Sequence, residues 1–206
     1  MGDATVNVLQ DVSLDVREGE KVFLCGASGA GKTTLMYTLA GLERPISGEV
    51  LFDGESLYLA PKNRQAAIRN RRMGYIFQNY FLMPELTALE NVLLPAFMGS
   101  SDREARGREI LDHLGLGGRL GHRPSELSGG EQQRVAIARS LINDPDVVFA
   151  DEPTGNLDSK TGAGVMESLI GLVAERKKSL IVVTHDTRLA ELGDRTLELV
   201  DGRLAS

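Results

Sequence analysis

A glycine-rich octet carries the strongest chemical signal in the sequence. It runs from Gly26 to Thr33 as Gly-Ala-Ser-Gly-Ala-Gly-Lys-Thr, directly after the apolar run Val22–Cys25, which is typical of a buried strand. Glycines let successive backbone N–H groups point at phosphate oxygens, and the helix predicted from about Lys32 to Ala40 adds the positive end of its dipole. Lys32 can reach the β- and γ-phosphates, and the Thr33 hydroxyl can ligate Mg²⁺. The octet therefore predicts binding of a nucleoside triphosphate rather than a plain strand-to-helix turn.

An acidic pair stands where a metal ion and an attacking water would be needed. Asp151 and Glu152 directly follow the apolar run Val147–Ala150. In a chain with this octet, Asp151 is the acid expected to hold the Mg²⁺ shell, and Glu152 is expected to orient or deprotonate the water. On its own, such a pair at a strand end is often only a solvated turn, so the assignment depends on the octet.

Two other strand ends carry candidate catalytic groups. The Gln78 amide follows the apolar stretch Gly74–Phe77 and could bridge metal and water, while His185 follows Leu180–Thr184 and could hydrogen-bond the γ-phosphate. The structural alternatives are an ordinary strand-end amide and a packing histidine. The expected site residues are Glu152, His185 and Gln78 for catalysis and Thr33, Gln78 and Asp151 for the metal.

Composition bounds the class of protein. The 206 residues suit one α/β domain with a possible inserted subdomain, and the net charge of −6 gives no general attraction to nucleic acid. The single cysteine, Cys25, excludes an internal disulfide framework and fits a reducing compartment. The most apolar region after residue 80 is broken by prolines and glutamates, well short of the roughly 18 residues of a membrane span. We expect no nucleic-acid partner and no direct membrane insertion.

The order of apolar segments predicts a mainly parallel sheet. Strand patterns alternate with helical patterns, and each strand delivers a polar residue at its carboxyl end, where sites of such sheets lie. Residues 79–139 are helical in periodicity with frequent Gly and Pro breaks, which indicates an inserted α-helical subdomain. The alternating stretch Val6–Val16 predicts a half-buried strand, and Glu49–Phe52 predicts a short strand before the tight turn Asp53–Gly54.

A second anion site is predicted where Leu127–Gly130 opens a helix. Ser128 is placed as the N-terminal cap, and Gly129 and Gly130 leave the helix end bare. Free N–H groups and the positive end of the helix dipole attract a phosphate at such an end. The sequence thus contains two separate phosphate-binding elements.

The stretch Leu127–Arg134, Leu-Ser-Gly-Gly-Glu-Gln-Gln-Arg, resembles the signature of the ATP-binding cassette family. That signature separates the family from other phosphate-loop proteins, and the resemblance covers almost the whole chain. Six motifs occur in family order, namely the phosphate loop Gly26–Thr33, the Q-loop Gln78, the signature, the Walker B pair Asp151 and Glu152, the D-loop Gly155–Asp158 and the switch histidine His185.

The resemblance implies an α/β P-loop NTPase fold with a mainly parallel sheet core, an antiparallel β portion and an inserted α-helical subdomain. It implies a single ATPase domain over 1–206, with 1–78 and 140–206 as a RecA-like core with the β portion and 79–139 as the helical subdomain. It also implies ATP and Mg²⁺ as ligands, with Glu152 as the catalytic glutamate.

The family resemblance also implies a head-to-tail homodimer that holds ATP between its subunits. Ser128 and Gly130 of one subunit would close over the γ-phosphate held by Lys32 of the other. The residues that would bind nucleotide are Gly26, Ala27, Ser28, Gly29, Ala30, Gly31, Lys32, Thr33, Thr34, Ser128, Gly129, Gly130 and Asp158.

Within the family, the chain looks most like ATPase subunits of lipoprotein-releasing and macrolide- or peptide-exporting transporters, on the stretches Gly74–Gln78, Arg123–Glu126 and Ala150–Asp158. Cell-division ATPases are a close alternative, because the same ATPase parts serve both. Soluble cassette proteins of DNA repair are another, but a long coiled coil divides those, and no heptad run separates Lys32 from Asp151 here.

A membrane subunit is the partner that this resemblance implies. Residues Asn79–Pro84, just after the Q-loop, would line a groove for a cytoplasmic coupling helix of an integral membrane permease, although the same apolar cluster could be subdomain core. The chain itself would then be cytoplasmic and peripheral on the inner face of the cell membrane.

One departure from the family pattern concerns the base. Family members begin with a further strand that ends in an aromatic residue, usually Tyr, which stacks on adenine, and that N-terminal strand is missing here. No Tyr or Trp precedes Gly26, and Phe23 lies inside the strand before the octet. Either the start is truncated or aliphatic contacts hold the base, and in both cases we expect weaker and less base-selective binding.

Overall fold

The computed structural model describes residues 8–97 and 103–205. Strands and helices alternate along these ranges, as the periodicity predicts. Their order is β1 (Lys21–Cys25), α1 (Lys32–Leu39), β2 (Leu51–Phe52), β3 (Glu55–Ser56), α2 (Lys62–Arg72), β4 (Met73–Ile76), α3 (Ala88–Phe97), α4 (Glu104–His113), α5 (Gly129–Leu141), β5 (Val147–Asp151), α6 (Ser159–Glu175), β6 (Ser179–Val183), α7 (Thr187–Ala190), β7 (Arg195–Val200) and β8 (Arg203–Leu204).

A six-stranded sheet of order β4-β5-β6-β1-β7-β8 forms the centre of the molecule. The first five strands in that order are mutually parallel, and only β8 runs antiparallel, beside β7. In parallel strands the carboxyl ends share one edge, so the residues that follow β1, β4, β5 and β6 converge there. The mainly parallel α/β fold is confirmed.

Alternating burial along the strands separates two cores. In β1, Phe23 and Cys25 face a core that contains the apolar sides of α5 and α6, whereas Leu24 faces a second core with Leu35 and Met36 of α1. Side chains of a strand point to opposite faces in turn, so continuous apolar runs are required when helices cover both faces. The uninterrupted apolar sequences of β5 and β6 have this cause.

The second half of the sheet contains an element that the sequence interpretation missed. Strands β7 and β8 form a hairpin whose turn, Asp201 and Gly202, has φ angles of 45° and 77°. The predicted turn Asp53–Gly54 has the same geometry, with φ angles of 57° and 77°. The strand before it, β2, is shorter than the predicted Glu49–Phe52, and the turn leads into β3, which was not predicted. Asp-Gly at both places supplies two consecutive left-handed residues, which a tight hairpin needs.

The half-buried strand predicted over Val6–Val16 is not present as a strand in the described residues. Its first two positions lie outside them, and from residue 8 to 20 no strand is assigned. The alternation itself is real, because Leu9, Val12, Leu14 and Val16 pack partly buried against the α1-side core. Asp11, at φ 50°, interrupts the extended backbone, and a strand also requires a hydrogen-bonded neighbour. The alternation of this stretch thus predicted correctly which side chains are partly buried, but its prediction of a hydrogen-bonded strand was wrong.

Helices α3, α4 and α5 lie between β4 and β5 in the chain and pack on one another, and α5 also packs on β4. The division into core and helical subdomain stays a prediction. No helix in the described ranges is both long and apolar enough to cross a membrane.

The contact between β4 and α5 leaves no room for a side chain at Gly74. A Cβ there would lie 2.5 Å from the carbonyl oxygen of Ser140, which is backbone and cannot swing away. We expect Gly74→Ala to lower the free energy of unfolding by about 1–3 kcal/mol, as overpacking does. Urea denaturation of the purified chain measures it.

The matched control is Gly118→Ala, because a Cβ at that position meets nothing within 4 Å. Its free energy of unfolding should stay within about 0.5 kcal/mol of the parent chain. If both variants lose the same stability, the close approach of β4 to α5 is not what constrains Gly74.

Candidate nucleotide site

The phosphate loop begins where β1 ends. Gly26, at φ 143°, passes so close to β7 that a Cβ would lie 2.2 Å from the carbonyl oxygen of Leu199. Gly31, at φ 99°, is the N-cap of α1 and offers no side chain to the first N–H groups of that helix. The buried Lys32 ammonium donates hydrogen bonds to the carbonyl oxygens of Gly26 and Ala27, at 2.8 and 2.9 Å. The loop therefore combines the uncapped N-terminus of α1 with one cation held against its own carbonyls.

A hydroxyl and a carboxylate meet beside this loop. The Thr33 hydroxyl donates to Asp151 Oδ1 at 3.1 Å, which joins the first turn of α1 to the end of β5. Burial raises the pKa of the Asp151 carboxyl, and the hydrogen bond from Thr33 opposes that shift. Two of the three predicted metal ligands, Thr33 and Asp151, thus meet here as oxygen atoms, and one of them belongs to a buried carboxylate.

These two oxygens fit Mg²⁺, which binds through one or two protein oxygens and completes its octahedral shell with phosphate oxygens and water. In the described part of the chain, no cluster of three or more His, Cys, Asp or Glu side chains could hold a metal by itself. A metal at this place would therefore depend on the nucleotide for most of its ligands.

Glu152 and His185 form the next pair along the sheet edge. Nδ1 of His185 lies 2.9 Å from Oε1 of Glu152, so a hydrogen bond forms when Nδ1 carries the proton. The backbone of Glu152 is left-handed, at φ 44°, and its N–H donates to the carbonyl of Val183 on the neighbouring strand. This bend turns the chain at the end of β5 and separates the directions of Asp151 and Glu152.

Gln78 lies against the loop that follows Glu152. A Cβ on Gly155 would be 2.8 Å from Gln78 Nε2, and the Asn156 side-chain amide donates to the Gln78 carbonyl oxygen at 2.8 Å. The structure therefore brings Gln78 next to the predicted D-loop. Asn156 had no assigned contact in the sequence interpretation, because its acceptor is a backbone group far away in the chain.

The second anion element is built as predicted, but with one more residue. The Ser128 hydroxyl caps α5 by accepting from the Glu131 N–H at 3.3 Å and also donates to Glu131 Oε2 at 2.8 Å. Hydrogen bonds from the Ser128 backbone and hydroxyl lower the pKa of Glu131 to about 2, with help from Arg119. The Ser-x-x-Glu spacing is the signal that could have identified this capping box.

The bare glycines of this turn are tightly covered on one side. A Cβ on Gly130 would lie 2.5 Å from Thr161 Cγ2, and one on Gly129 would lie 3.2 Å from the Tyr80 hydroxyl. Among the residues that the structure describes, no hydrogen bond joins the Ser128–Gly130 turn to the phosphate loop. The phosphate loop and this turn are thus two elements of the chain that no hydrogen bond joins within the described residues.

Asp158 caps a helix whose first turn lies against the Ser128–Gly130 turn, because Thr161 contacts Gly130. Its carboxylate caps α6 by accepting from the N–H groups of Lys160 and Thr161, both at 3.1 Å. The hydrogen bonds from Thr161 lower its pKa. A nucleotide contact for Asp158 stays a prediction.

Comparison with known proteins agrees with this arrangement. The ABC transporter family model matches residues 9–155. The chain belongs to the ABC transporter family. Among solved structures, an ABC cassette titled as the post-hydrolysis dimer of MJ0796 with ADP and Pi superposes with a TM-score of 0.89 at 41% identity, over 100% of this chain and 92% of that one. A second dimeric structure of MJ0796 gives 0.91 at 40% identity, with the same coverage.

Curated relatives of this ABC chain include lipoprotein-releasing system ATP-binding proteins LolD. The one from Shewanella oneidensis is 50% identical over 98% of this chain and 90% of its own length. The one from Aquifex aeolicus is 48% identical over 96% and 89%. An uncharacterised ABC transporter ATP-binding protein of Thermotoga maritima is 48% identical over 99% and 88%.

The buried carboxylate at the metal position has a cost that can be measured. Because the pKa of Asp151 is raised in the folded chain, folding disfavours its charged form, and this loss grows as the pH rises above the ordinary pKa of an aspartate. We expect Asp151→Asn to raise the free energy of unfolding of the nucleotide-free chain by about 1 kcal/mol at neutral pH. Thermal denaturation without Mg²⁺ measures it.

Asp186 provides the control with the opposite sign. Hydrogen bonds from Arg188 lower its pKa to about 2, so its stabilising contribution is present above the ordinary pKa and disappears as the pH falls through about 2. Asp186→Asn should therefore not stabilise the chain at neutral pH. A decrease in stability for Asp151→Asn would contradict the burial argument.

Proposed function

We propose that this chain is the ATP-hydrolysing subunit of a membrane transporter of the lipoprotein-releasing type. The observation that carries the proposal is the convergence of Lys32, the Thr33–Asp151 pair and the Glu152–His185 pair at one sheet edge. A cation, a metal position and a carboxylate tied to a histidine are the parts that phosphoanhydride hydrolysis needs. The substrate class rests on the named relatives.

In the proposed mechanism, residues 26–34 bind the nucleotide. The N–H groups of the loop and the Lys32 ammonium hold the phosphates, with the N-terminus of α1 adding its dipole. Thr33 and Asp151 would hold Mg²⁺, with Gln78 as a further ligand, and the bound ion would offset charge on the phosphate oxygens. Thr33 and Asp151 already lie 3.1 Å apart, so these two groups need little reorganisation.

Glu152 is the residue that would activate the attacking water. Its carboxylate would accept the proton of the attacking water or orient it, since it lies beside Asp151 and points along a different direction. His185, whose Nδ1 lies 2.9 Å from Glu152, would position that carboxylate when Nδ1 carries the proton, and would donate to the γ-phosphate from Nε2 in the other tautomer. Gln78 would keep the water in line with the scissile bond.

The second half-site supplies the reason for a dimer. In our proposal, Ser128, Gly129 and Gly130 of one subunit bind the γ-phosphate held by the other, and Asp158 contacts the same interface. Two copies then enclose two nucleotides. Support comes from the absence of a hydrogen bond between the two elements in one described chain and from the similar MJ0796 structures, which are dimers.

The surface just after Gln78 is the proposed contact with the membrane subunit. Phe81 is 60% exposed and Met83 is 48% exposed, so these apolar side chains are available and do not belong to the subdomain core. Exposed apolar groups of this kind suit a partner helix. The chain would lie on the inner face of the cell membrane, with 79–139 as a helical subdomain beside a core of 1–78 and 140–206. Co-purification of the permease subunit tests this contact.

Glu152→Gln separates binding from turnover. We expect MgATP binding to persist, because the loop and the metal position are untouched, while hydrolysis falls by at least about 100-fold. The variant should accumulate as a dimer with saturating MgATP. Light scattering with and without nucleotide measures this, and a variant that stays monomeric would refute the shared site.

Lys32→Ala tests the phosphate loop. Loss of the buried ammonium removes the cation that faces the β- and γ-phosphates, so affinity for ATP should fall by about 100-fold or more, since charge-assisted hydrogen bonds contribute roughly 1.5–3 kcal/mol each. Titration with a fluorescent ATP analogue measures it. Lys62→Ala, on the exposed start of α2, is the control and should bind normally.

A further inference from the structure

The turn that follows Gln78 has an unusual backbone. Tyr80 and Phe81 are both left-handed, at φ 59° and 46°. Side chains with a Cβ avoid this region, and two consecutive aromatic residues rarely adopt it. The turn therefore needs other contacts to hold it.

Arg139, in the last turn of α5, supplies those contacts. Its Nη1 donates to the Phe81 carbonyl oxygen and its Nη2 to the Tyr80 carbonyl oxygen, both at 2.5 Å. No ion pair of Arg139 with a carboxylate occurs within the described ranges, and burial lowers its pKa. A half-buried guanidinium that serves two consecutive carbonyls uses its planar fork in a way that lysine cannot reproduce.

The same turn also contacts the other end of α5 and the D-loop. The Tyr80 hydroxyl lies over Gly129, and the Asn156 amide donates to the Gln78 carbonyl oxygen at 2.8 Å. Helix α5 thus touches the turn at its first residue and again through Arg139. An arginine that served only the helix dipole would bond the carbonyls of its own last turn, not those of another segment.

We propose that Arg139 is a positioning residue that fixes the turn 78–81 to α5, so that Gln78 and the Ser128–Gly130 turn keep one relative orientation. This inference rests on the proposed function for the roles of Gln78 and Ser128. A partner that displaces the exposed Phe81 would then also move the Ser128–Gly130 turn, because Arg139 connects the turn 78–81 to α5.

The test compares Arg139→Lys and Arg139→Met with Arg106→Met in the purified full chain. Arg106 also donates to a carbonyl at the end of α5, that of Leu141, but does not touch the turn. We expect both Arg139 variants to lower kcat for ATP about 10- to 100-fold, as misplaced catalytic groups do, with KM within about twofold. Arg106→Met should keep the parent kcat.

A spectroscopic readout makes the test independent of hydrolysis. The chain has no tryptophan, so Phe81→Trp reports on the turn alone. In the Phe81→Trp chain, adding Arg139→Met should lower the fluorescence anisotropy and raise acrylamide quenching, whereas adding Arg106→Met should change neither.

Relief of the backbone strain gives the decisive comparison. Glycine adopts the left-handed region freely, so Phe81→Gly should reduce the effect of Arg139→Met on kcat by at least about threefold. Parent kcat in both Arg139 variants, or unchanged anisotropy, would overturn the inference. If the parent chain and Arg106→Met hydrolyse no ATP, the proposed function fails instead, and the anisotropy still decides the role of Arg139.

Discussion

The hydrogen bond between Thr33 and Asp151 depends on the register of the central sheet. Strands β5, β6 and β1 are parallel neighbours, and their pairing places Asp151 level with Leu24, near the end of β1 and just before the phosphate loop. A shift of one residue in either pairing would turn Asp151 to the other face of the sheet. The apolar residues of these strands face two different cores, so such a shift would also turn each side chain to the core on the opposite face of the sheet. Packing on both faces of the sheet thus determines the strand register, and the register determines the orientation of Asp151 at the carboxyl edge.

Left-handed backbone at residues other than glycine occurs near this edge and elsewhere, including Asp144 before β5 and Lys177 before β6 at the opposite edge of the sheet. Left-handed Asp53 and Asp201 lie in hairpin turns, where aspartate tolerates that conformation. The left-handed region is not favoured by the residue types of Tyr80, Phe81 and Glu152. Each of these residues is held by a hydrogen bond from or to another segment. Strain of this kind persists only when surrounding contacts determine it, and it is commonly found where side chains must point in a required direction.

Local patterns explain why much of the fold was predictable. Continuous apolar runs identified β1, β5 and β6, and the cap at Ser128 marked the start of α5, because these signals lie within a few residues. Whether Val12–Val16 pairs with another strand depends on segments distant in sequence, and in the described residues it does not. The acceptors of Arg139 and Asn156 are likewise distant in sequence. Backbone carbonyls carry no residue-specific signal, so no pattern could have identified them. The alternation of polar and apolar residues over Thr196–Val200 is a strand pattern that could have predicted β7, which contains no residue of the candidate site.

A site divided between two copies has a thermodynamic consequence for its partner. If the nucleotide is held by Lys32 of one subunit and Ser128 of the other, ATP binds the closed dimer more tightly than the open one. The difference between these two binding free energies is the largest free energy that ATP binding can contribute to closure. A permease that binds Phe81 and Met83 acts on the turn beside α5, which also carries Ser128. Linkage requires reciprocity, so a partner that favours closure must strengthen ATP binding by the factor with which ATP strengthens the partner's binding. In that arrangement, hydrolysis would remove the γ-phosphate that joins the two subunits, and both affinities would then fall together.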